Sequence, residues 1–361
     1  MQSKQSTEKF FYIAITMAPF VSTAALAHFH LLASSHPSSS SSSSLSSSST
    51  TATARVVALQ RYAVKGLAGD ALSHVALQTG ETFPDDRRFA LLYNKNAMKW
   101  NQNYPQDKPL PWLHKENFLC AFTRPDLLAK IESSYEIITN NDRDDDENDN
   151  ETATVQRLIK LNDRQTGQSL IDSPLNLELE EDRQKLADLF SSLSQQDVRC
   201  ITAVNTSNNN KSANGALSSK HTHQFGNTSS GYKQRNGDTR TIHIINQATV
   251  REFSRAIGIP IDPLRFRPNV VIDGPPAWNE FDWIHDAQGI VEPKSGLKLT
   301  VISKTVRCQG ISVDPLDPDR VLDVPALLME HFPQYGPFLG VYAVVDEPGR
   351  LAIGDELQFP N

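Results

Sequence analysis

The sequence predicts a mainly β chain with a few helices (α+β), built as an antiparallel sheet or barrel rather than a βαβ array. Short runs rich in β-branched residues recur at ~10-residue spacing, separated by Gly, Asp, Asn and Pro turns. Only three stretches carry helical patterning: Glu180 to Leu193, Ala248 to Ile257 and Val324 to His331. The hydrophobic content of 39% over 361 residues is slightly low, but the deficit is concentrated in a few polar stretches. Roughly 250 residues remain, ample for a real core and for two domains.

Taken in order, the strand text starts near Arg55 with R-V-V-A-L-Q-R-Y-A-V-K, which alternates imperfectly and is punctuated by Gly66 and Gly69. A second strand, Ser73 to Gln78, ends at Gly80, and a third, R-R-F-A-L-L-Y-N, closes on the turn-former Asn94. Asn117 to Thr123, Tyr135 to Thr139 and Thr154 to Lys160 follow. Residues 140–151, almost entirely Asn and Asp, read as a solvated, disordered insertion that lacks the glycine and terminal Glu of an EF-hand loop. After the first helix come a strand at Val198 to Val204 and a second disordered insertion at 205–238, whose His221 and His223 read as solvated. T-I-H-I-I-N is the next strand, and the helix that follows it stops at Gly258. Strand text resumes at Arg267 to Ile272, Leu297 to Thr305, Gly340 to Asp346 and Leu351 to Phe359, with turns at Asp273-Gly274, Pro348-Gly349 and Gly354-Asp355.

A net charge of −7 with no basic stripe argues against a nucleic-acid partner. Cys120, Cys200 and Cys308 are scattered, with no C-x-x-C. That spacing excludes a disulfide framework, a structural zinc site and a cysteine-ligated iron–sulfur cluster, and it favours a reducing compartment. No G-x-G-x-x-G fingerprint is present. Between Glu8 and Asp70 there is no acidic residue, and Lys4 and Lys9 precede an uncharged run from Phe10 to Ala33 and then a serine tract. Residues 1–54 therefore read as a targeting or anchoring segment with a flexible spacer; a membrane anchor of ~20 residues and a cleaved presequence both fit.

Four strings carry chemistry. Y-A-V-K-G places Lys65 at a strand exit, and D-D-R-R-F places Arg87 at a strand entrance. R-F-R-P-N sets Arg267 and Asn269 around a proline, and T-V-R-C puts Arg307 beside the thiol of Cys308, with Asp314-Pro315 six residues on. Cations at strand ends suit a multiply charged anion such as a phosphate, and a thiol beside a guanidinium is biased toward the thiolate that binds soft metals. Read singly, Cys308 is as well explained as a buried structural cysteine, and Lys65 and Arg87 as surface charges. Cys120 and Cys200, inside apolar text, read as buried, inert thiols.

Together with G-V-Y…G-R-L-A-I-G-D, these strings in this order resemble the MOSC family of molybdenum-cofactor-binding β-barrel proteins, including its separate N-terminal β-barrel domain. The resemblance implies an N-terminal barrel domain at 55–175 and a MOSC domain at 176–361, with the molybdenum cofactor (molybdopterin) in the cleft between them. It implies Cys308 as the catalytic molybdenum ligand, and Lys65, Arg87, Arg267, Asn269 and Arg307 as cofactor-binding residues. Glu280, Asp282 and Trp283, in W-N-E-F-D-W, match a family segment that shapes the rim. Two departures stand out. Gly66 replaces the serine usual after the lysine in reductase members, and Gln247-Ala248-Thr249 stand where a serine-rich string is common.

The implied activity is that of an oxidoreductase. It would transfer oxygen atoms, as in the mitochondrial amidoxime-reducing component that reduces N-hydroxylated compounds, with electrons from a b-type cytochrome and its reductase. A second reading is a cofactor or sulfur carrier without turnover; MOSC domains also end the molybdenum cofactor sulfurases, whose upstream pyridoxal-phosphate domain this chain has no room for. A third is a degenerate binding protein holding no metal. A small-molecule substrate is expected. So is a mitochondrial location, with a plastid or a membrane-anchored form facing the cytosol as alternatives.

Overall fold

The first described strand, β1 (Thr53–Arg61), buries Ala54 and Val56 and then shifts phase to bury Leu59. A β-bulge between Val56 and Ala58 causes that shift, and it is why the alternation looked imperfect. The structure is a computed structural model and describes residues 53–100, 113–139, 155–203, 240–284, 286 and 288–359. The N-terminal segment to residue 52, the insertions at 140–151 and 205–238, with His221 and His223, and His285 lie outside the described residues.

After β1 come the short strands β2 (Asp70–Ala71) and β3 (His74–Leu77), then β4 (Phe89–Tyr93) and β5 (Phe118–Leu119). A single helical turn, α1 (Pro125–Leu128), leads into β6 (Ile131–Thr139), β7 (Val155–Asp163) and β8 (Leu175–Asn176). Helix α2 (Glu180–Ser194) opens on Glu180, Glu181 and Asp182, acids that favour its positive N-terminal end, and buries Leu186, Ala187 and Phe190. Then follow β9 (Val198–Thr202), β10 (Ile242–Asn246), helix α3 (Gln247–Ile257) and β11 (Val270–Asp273). The chain closes with β12 (Ile290–Glu292), β13 (Leu297–Val306), helix α4 (Val324–His331), β14 (Phe338–Glu347), β15 (Gly349–Ala352) and β16 (Glu356–Gln358).

Seven strands in the order β11-β10-β14-β13-β12-β16-β1 form a barrel, closed by pairing of β11 with β1. Every pair in it is antiparallel except β10 with β11, which α3 connects. Asn246 caps that helix through Ala248 N–H, and Gly258 ends it in the left-handed conformation. The barrel encloses one core, with Val56, Leu59, Ile244, Val301 and Val341 among its fully buried members. A second core gathers Phe89, Leu91, Leu119, Ile159, Leu186 and Phe190 between the β5-β4-β9 sheet, the β6-β7-β8 sheet and α2.

The pairings cross the boundary expected near residue 175 in both directions. Strand β9 pairs with β4 from Phe89↔Thr202 to Tyr93↔Val198, so α2 and β9 belong with the second core. Strands β1 and β3 pair with β16 and β15 and belong with the barrel. The expected single strand at Leu351 to Phe359 is two, because the turn at Gly354-Asp355 carries the chain from β15, on β3, to β16, on β1 and β12. No helix among the described residues is long and apolar enough to cross a membrane.

Candidate functional site

Where β1 ends, the chain passes from one core to the other, and Tyr62 sits at the crossing, 3% exposed. Two guanidiniums flank its ring: Arg267 Cζ lies 4.3 Å and Arg87 Cζ 4.5 Å from the centroid. The negative face of an aromatic ring attracts each cation and separates the two like charges. Arg87 and Arg267 both hold left-handed backbones, φ 52° and 56°, a conformation costing roughly 1–2 kcal/mol per non-glycine residue. Such strain persists only where surrounding contacts over-determine it. Here Tyr62 N–H donates to Asp86 Oδ1 at 2.8 Å, and the other oxygen of Asp86 pairs with Arg87.

The D-D-R-R string splits its two pairs between opposite tasks. Asp85 and Arg88 turn into the second core, where Asp85 also meets Arg157 at 2.7 Å and the Tyr135 hydroxyl at 2.9 Å. Asp86 and Arg87 turn toward Tyr62. Lys65 joins the cation cluster from the next turn. Burial pushes its pKa down to about 8; Cys120 acts to raise it, and Arg87, Arg267 and Lys115 lower it further. Burial likewise lowers Arg267 to about 10 and raises Tyr62 to about 12, leaving the phenol protonated.

The two remaining polar candidates are both engaged in hydrogen bonds with neighbouring strands. Asn269 is fully buried as a tie between strands: its Oδ1 accepts from His243 N–H at 3.1 Å and its Nδ2 donates to Gln60 O at 3.2 Å. Arg307, 7% exposed, directs its guanidinium into the barrel wall. It donates to Leu339 O twice, to Phe266 O at 3.3 Å and to His243 Nε2 at 2.7 Å. Four of its five N–H groups are thus committed. Both residues hold the site's framework, because a buried strand end leaves backbone carbonyls that must find donors.

Sequence reasoning missed Arg265, the first arginine of R-F-R-P-N. Its guanidinium is completely buried and donates to Ile311 O at 2.9 Å, to Ser312 O and to Asp314 Oδ2 at 3.0 Å. It therefore clamps the loop that follows Cys308, which explains the Asp314-Pro315 pair. The missed signal was the charge pairing between one string's arginine and the other's aspartate.

Cys308 lies two residues past β13 with extended backbone, φ −141° and ψ 173°, and its carbonyl accepts from Ile311 N–H. A methyl group built on Gly310 would lie 3.5 Å from Cys308 Sγ and 3.5 Å from Phe122 Cα, so the thiol and the segment around Cys120 border the same small space. The Tyr342 phenol, raised by burial, feels Arg307, Arg87 and Cys308, which links the thiol to the cation cluster. A half-open cleft beside Gly310 is lined by Gly66, Ala121, Arg164, Arg265 and Arg267, with a cavity volume of ≈ 50 Å³. Lys65, Arg87 and Cys308 stand outside that lining. Cys200 is an inert thiol as expected, pushed up to about 12 by burial. Cys120 is buried but lies beside Lys65.

Gly66 has a structural cause. At φ +98°, a Cβ there would stand 2.6 Å from Cys120 Cα. Gly66→Ser is expected to lower the unfolding free energy by about 3 kcal/mol, from clash plus strain, as read from urea midpoints. A loss under about 1 kcal/mol would mean that the loop yields and that the missing hydroxyl has another cause.

The W-N-E-F-D-W segment is core rather than rim. Glu280 is fully buried, with Thr249 Oγ1 within 2.8 Å and 2.9 Å of its two oxygens and Asn246 Nδ2 donating at 3.1 Å. Trp283 stacks on Phe359 with centroids 4.1 Å apart, and only Asp282 is exposed.

The protein is mainly β with a closed seven-stranded barrel, and two guanidiniums meet on one ring where the chain leaves β1. Residues 220–358 match the family model of the MOSC domain, a domain family associated with the molybdenum cofactor, so that this part of the chain is similar to a MOSC domain. No curated protein matches the chain. Among solved structures it is similar to the YUAD protein from Bacillus subtilis, at 12% identity over 84% of this chain and 94% of that one. The TM-score of 0.32 makes that likeness too loose to carry an argument.

Proposed function

We propose that this chain binds the molybdenum cofactor and works as an oxidoreductase, transferring oxygen atoms in the reduction of N-hydroxylated small molecules. The observation that carries this reading is the convergence of Arg87 and Arg267 on the ring of Tyr62, with Lys65, over the Phe118 ring, close enough to feel both charges, and with the Cys308 thiol close enough to act on Tyr342. The donor set fits the group: a soft thiol for the metal, and an excess of buried cations for a phosphate. Among the described residues no three His, Cys, Asp or Glu side chains gather as a metal cluster, so Cys308 stands as the one protein ligand proposed.

When bound, the cofactor supplies the redox chemistry; the protein supplies position and charge. Lys65, Arg87 and Arg267 hold the phosphate, Cys308 holds the metal, and Arg265 keeps the loop behind the thiol in place. Electrons come from a partner, for which the family precedent is a b-type cytochrome with its reductase. A mitochondrial location accompanies this reading.

The test is the metal and pterin content of the full chain from a host that makes the cofactor, beside Cys308→Ala. Near-stoichiometric molybdenum in the parent and less than about a tenth of it in the variant is the expected result. A well-folded parent without molybdenum would sink the reading. Molybdenum without turnover of hydroxylamines or amidoximes would leave a carrier.

A further inference from the structure

Strand β10 buries all five of its residues, and four of them are what such a position asks for: three isoleucines and the capping Asn246. The fifth is an imidazole. His243 is 2% exposed, its backbone exchanges hydrogen bonds with Asn269, and its ring packs on Tyr342 with centroids 5.4 Å apart. Nδ1 lies 3.2 Å from Arg267 O and Nε2 lies 2.7 Å from Arg307 Nη2. A carbonyl only accepts and a guanidinium only donates, so Nδ1 carries the proton and Nε2 is the acceptor. The ring is therefore neutral, in a single tautomer, with both nitrogens satisfied. A second proton would set donor against donor at 2.7 Å, and burial together with Arg307 holds the pKa well below the ordinary histidine value.

These two bonds reach the two strings that carry the site. One fixes the carbonyl of Arg267, whose left-handed backbone aims its guanidinium at Tyr62. The other fixes the guanidinium of Arg307, the residue before the thiol. We propose that neutral His243 is the positioning residue of the cation cluster, and that it sets the affinity of Arg267, Arg87 and Lys65 for an oxyanion such as a phosphate group. The proposal rests on reading those cations as the cofactor's phosphate seat, and it adds what keeps them aimed.

Inorganic phosphate, titrated calorimetrically into the full chain, is the probe. Phe at position 243 keeps an aromatic ring to pack on Tyr342, somewhat larger than the imidazole, but removes both nitrogens. Gln spans about the same two points, offering a carbonyl oxygen to Arg307 and an N–H to Arg267. His243→Phe is expected to weaken phosphate binding about tenfold, and His243→Gln to stay within about threefold of the parent. Parent-like binding by the Phe variant, or Gln binding as weakly as Phe, overturns the proposal, as does a parent that binds no phosphate. Should the Phe variant fail to fold, His243→Asn takes its place, keeping a donor near the Nδ1 position and nothing at Nε2; the same outcomes decide. The molybdenum assay fails separately. A parent that binds phosphate but never acquires molybdenum loses the proposed function and leaves this inference standing. A parent that acquires molybdenum while the Phe variant binds phosphate unchanged loses this inference alone.

Discussion

Arg265→Leu is expected to cost about 3–5 kcal/mol of unfolding free energy, the largest loss from any single change near the site. The deletion strands Asp314, whose side chain is 4% exposed, in the protein interior with one oxygen facing no close cation. Arg320 lies 3.7 Å away but is 44% exposed, too solvated to replace a buried donor at 3.0 Å. The carbonyls of Ile311 and Ser312 lose their donors as well. Because these groups lie three to six residues beyond Cys308, the same variant is expected to lose cofactor. Urea denaturation at pH 7, with the double-mutant cycle against Asp314→Leu, measures the coupling. A single-variant loss below about 1 kcal/mol would show that the clamp is incidental.

Glu280 is expected to give the protein a pH dependence of opposite sign to that of a paired carboxylate. Burial raises its pKa from 4.5 to about 7; the bonds from Thr249 and Asn246 lower it, and Asp282 raises it slightly. A folded-state value above the unfolded one means that the native state binds the proton more tightly. The contribution is therefore fully present below pH 4.5 and is lost as the pH rises through 7, about 3 kcal/mol in all. Glu280→Gln removes the titration while its Oε1 still accepts from Asn246. Its urea midpoint is expected to vary less between pH 5 and pH 8 than the parent's, with the gain at pH 8. Identical pH slopes in parent and variant would refute the assignment.

The sequence was legible wherever a local pattern decides the structure. Val324 to His331 is a helix to the residue, and Glu180 to Leu193 within one residue at its C-terminus. Gly258 ends its helix in the left-handed conformation, as a C-terminal glycine should. The short strands β2, β8 and β12 went unread because two or three residues carry no period. The pairing of β9 with β4 was illegible for a different reason. Nothing in V-R-C-I-T says that its partner is F-A-L-L-Y over a hundred residues earlier rather than the barrel that follows.

Of the candidate site, Lys65, Arg87 and Arg267 could be read because cations at strand ends are conspicuous. Tyr62, the ring between two of them, was quoted without a role, since an aromatic residue in strand text usually means core. Arg307 and Asn269 were given ligand duties because side-chain chemistry is visible in a sequence. Their demands come instead from the backbone carbonyls and N–H groups of Leu339, Phe266, His243 and Gln60, which no sequence displays.

The barrel seam joins Arg55 to Glu356, residues about 300 apart in the chain. During synthesis β1 emerges without either of its barrel partners, β11 or β16, and the chain from Tyr62 to Lys65 hangs from its end. Closing so long a loop is slow, because its entropy is lost before any pairing returns it. The second core can form earlier from residues 89 to 202, whereas Arg267, just before β11, meets Tyr62 only when β11 reaches β1. A ribosome stalled before β11 would thus hold a chain whose second core can form while Arg267 has yet to reach the ring of Tyr62.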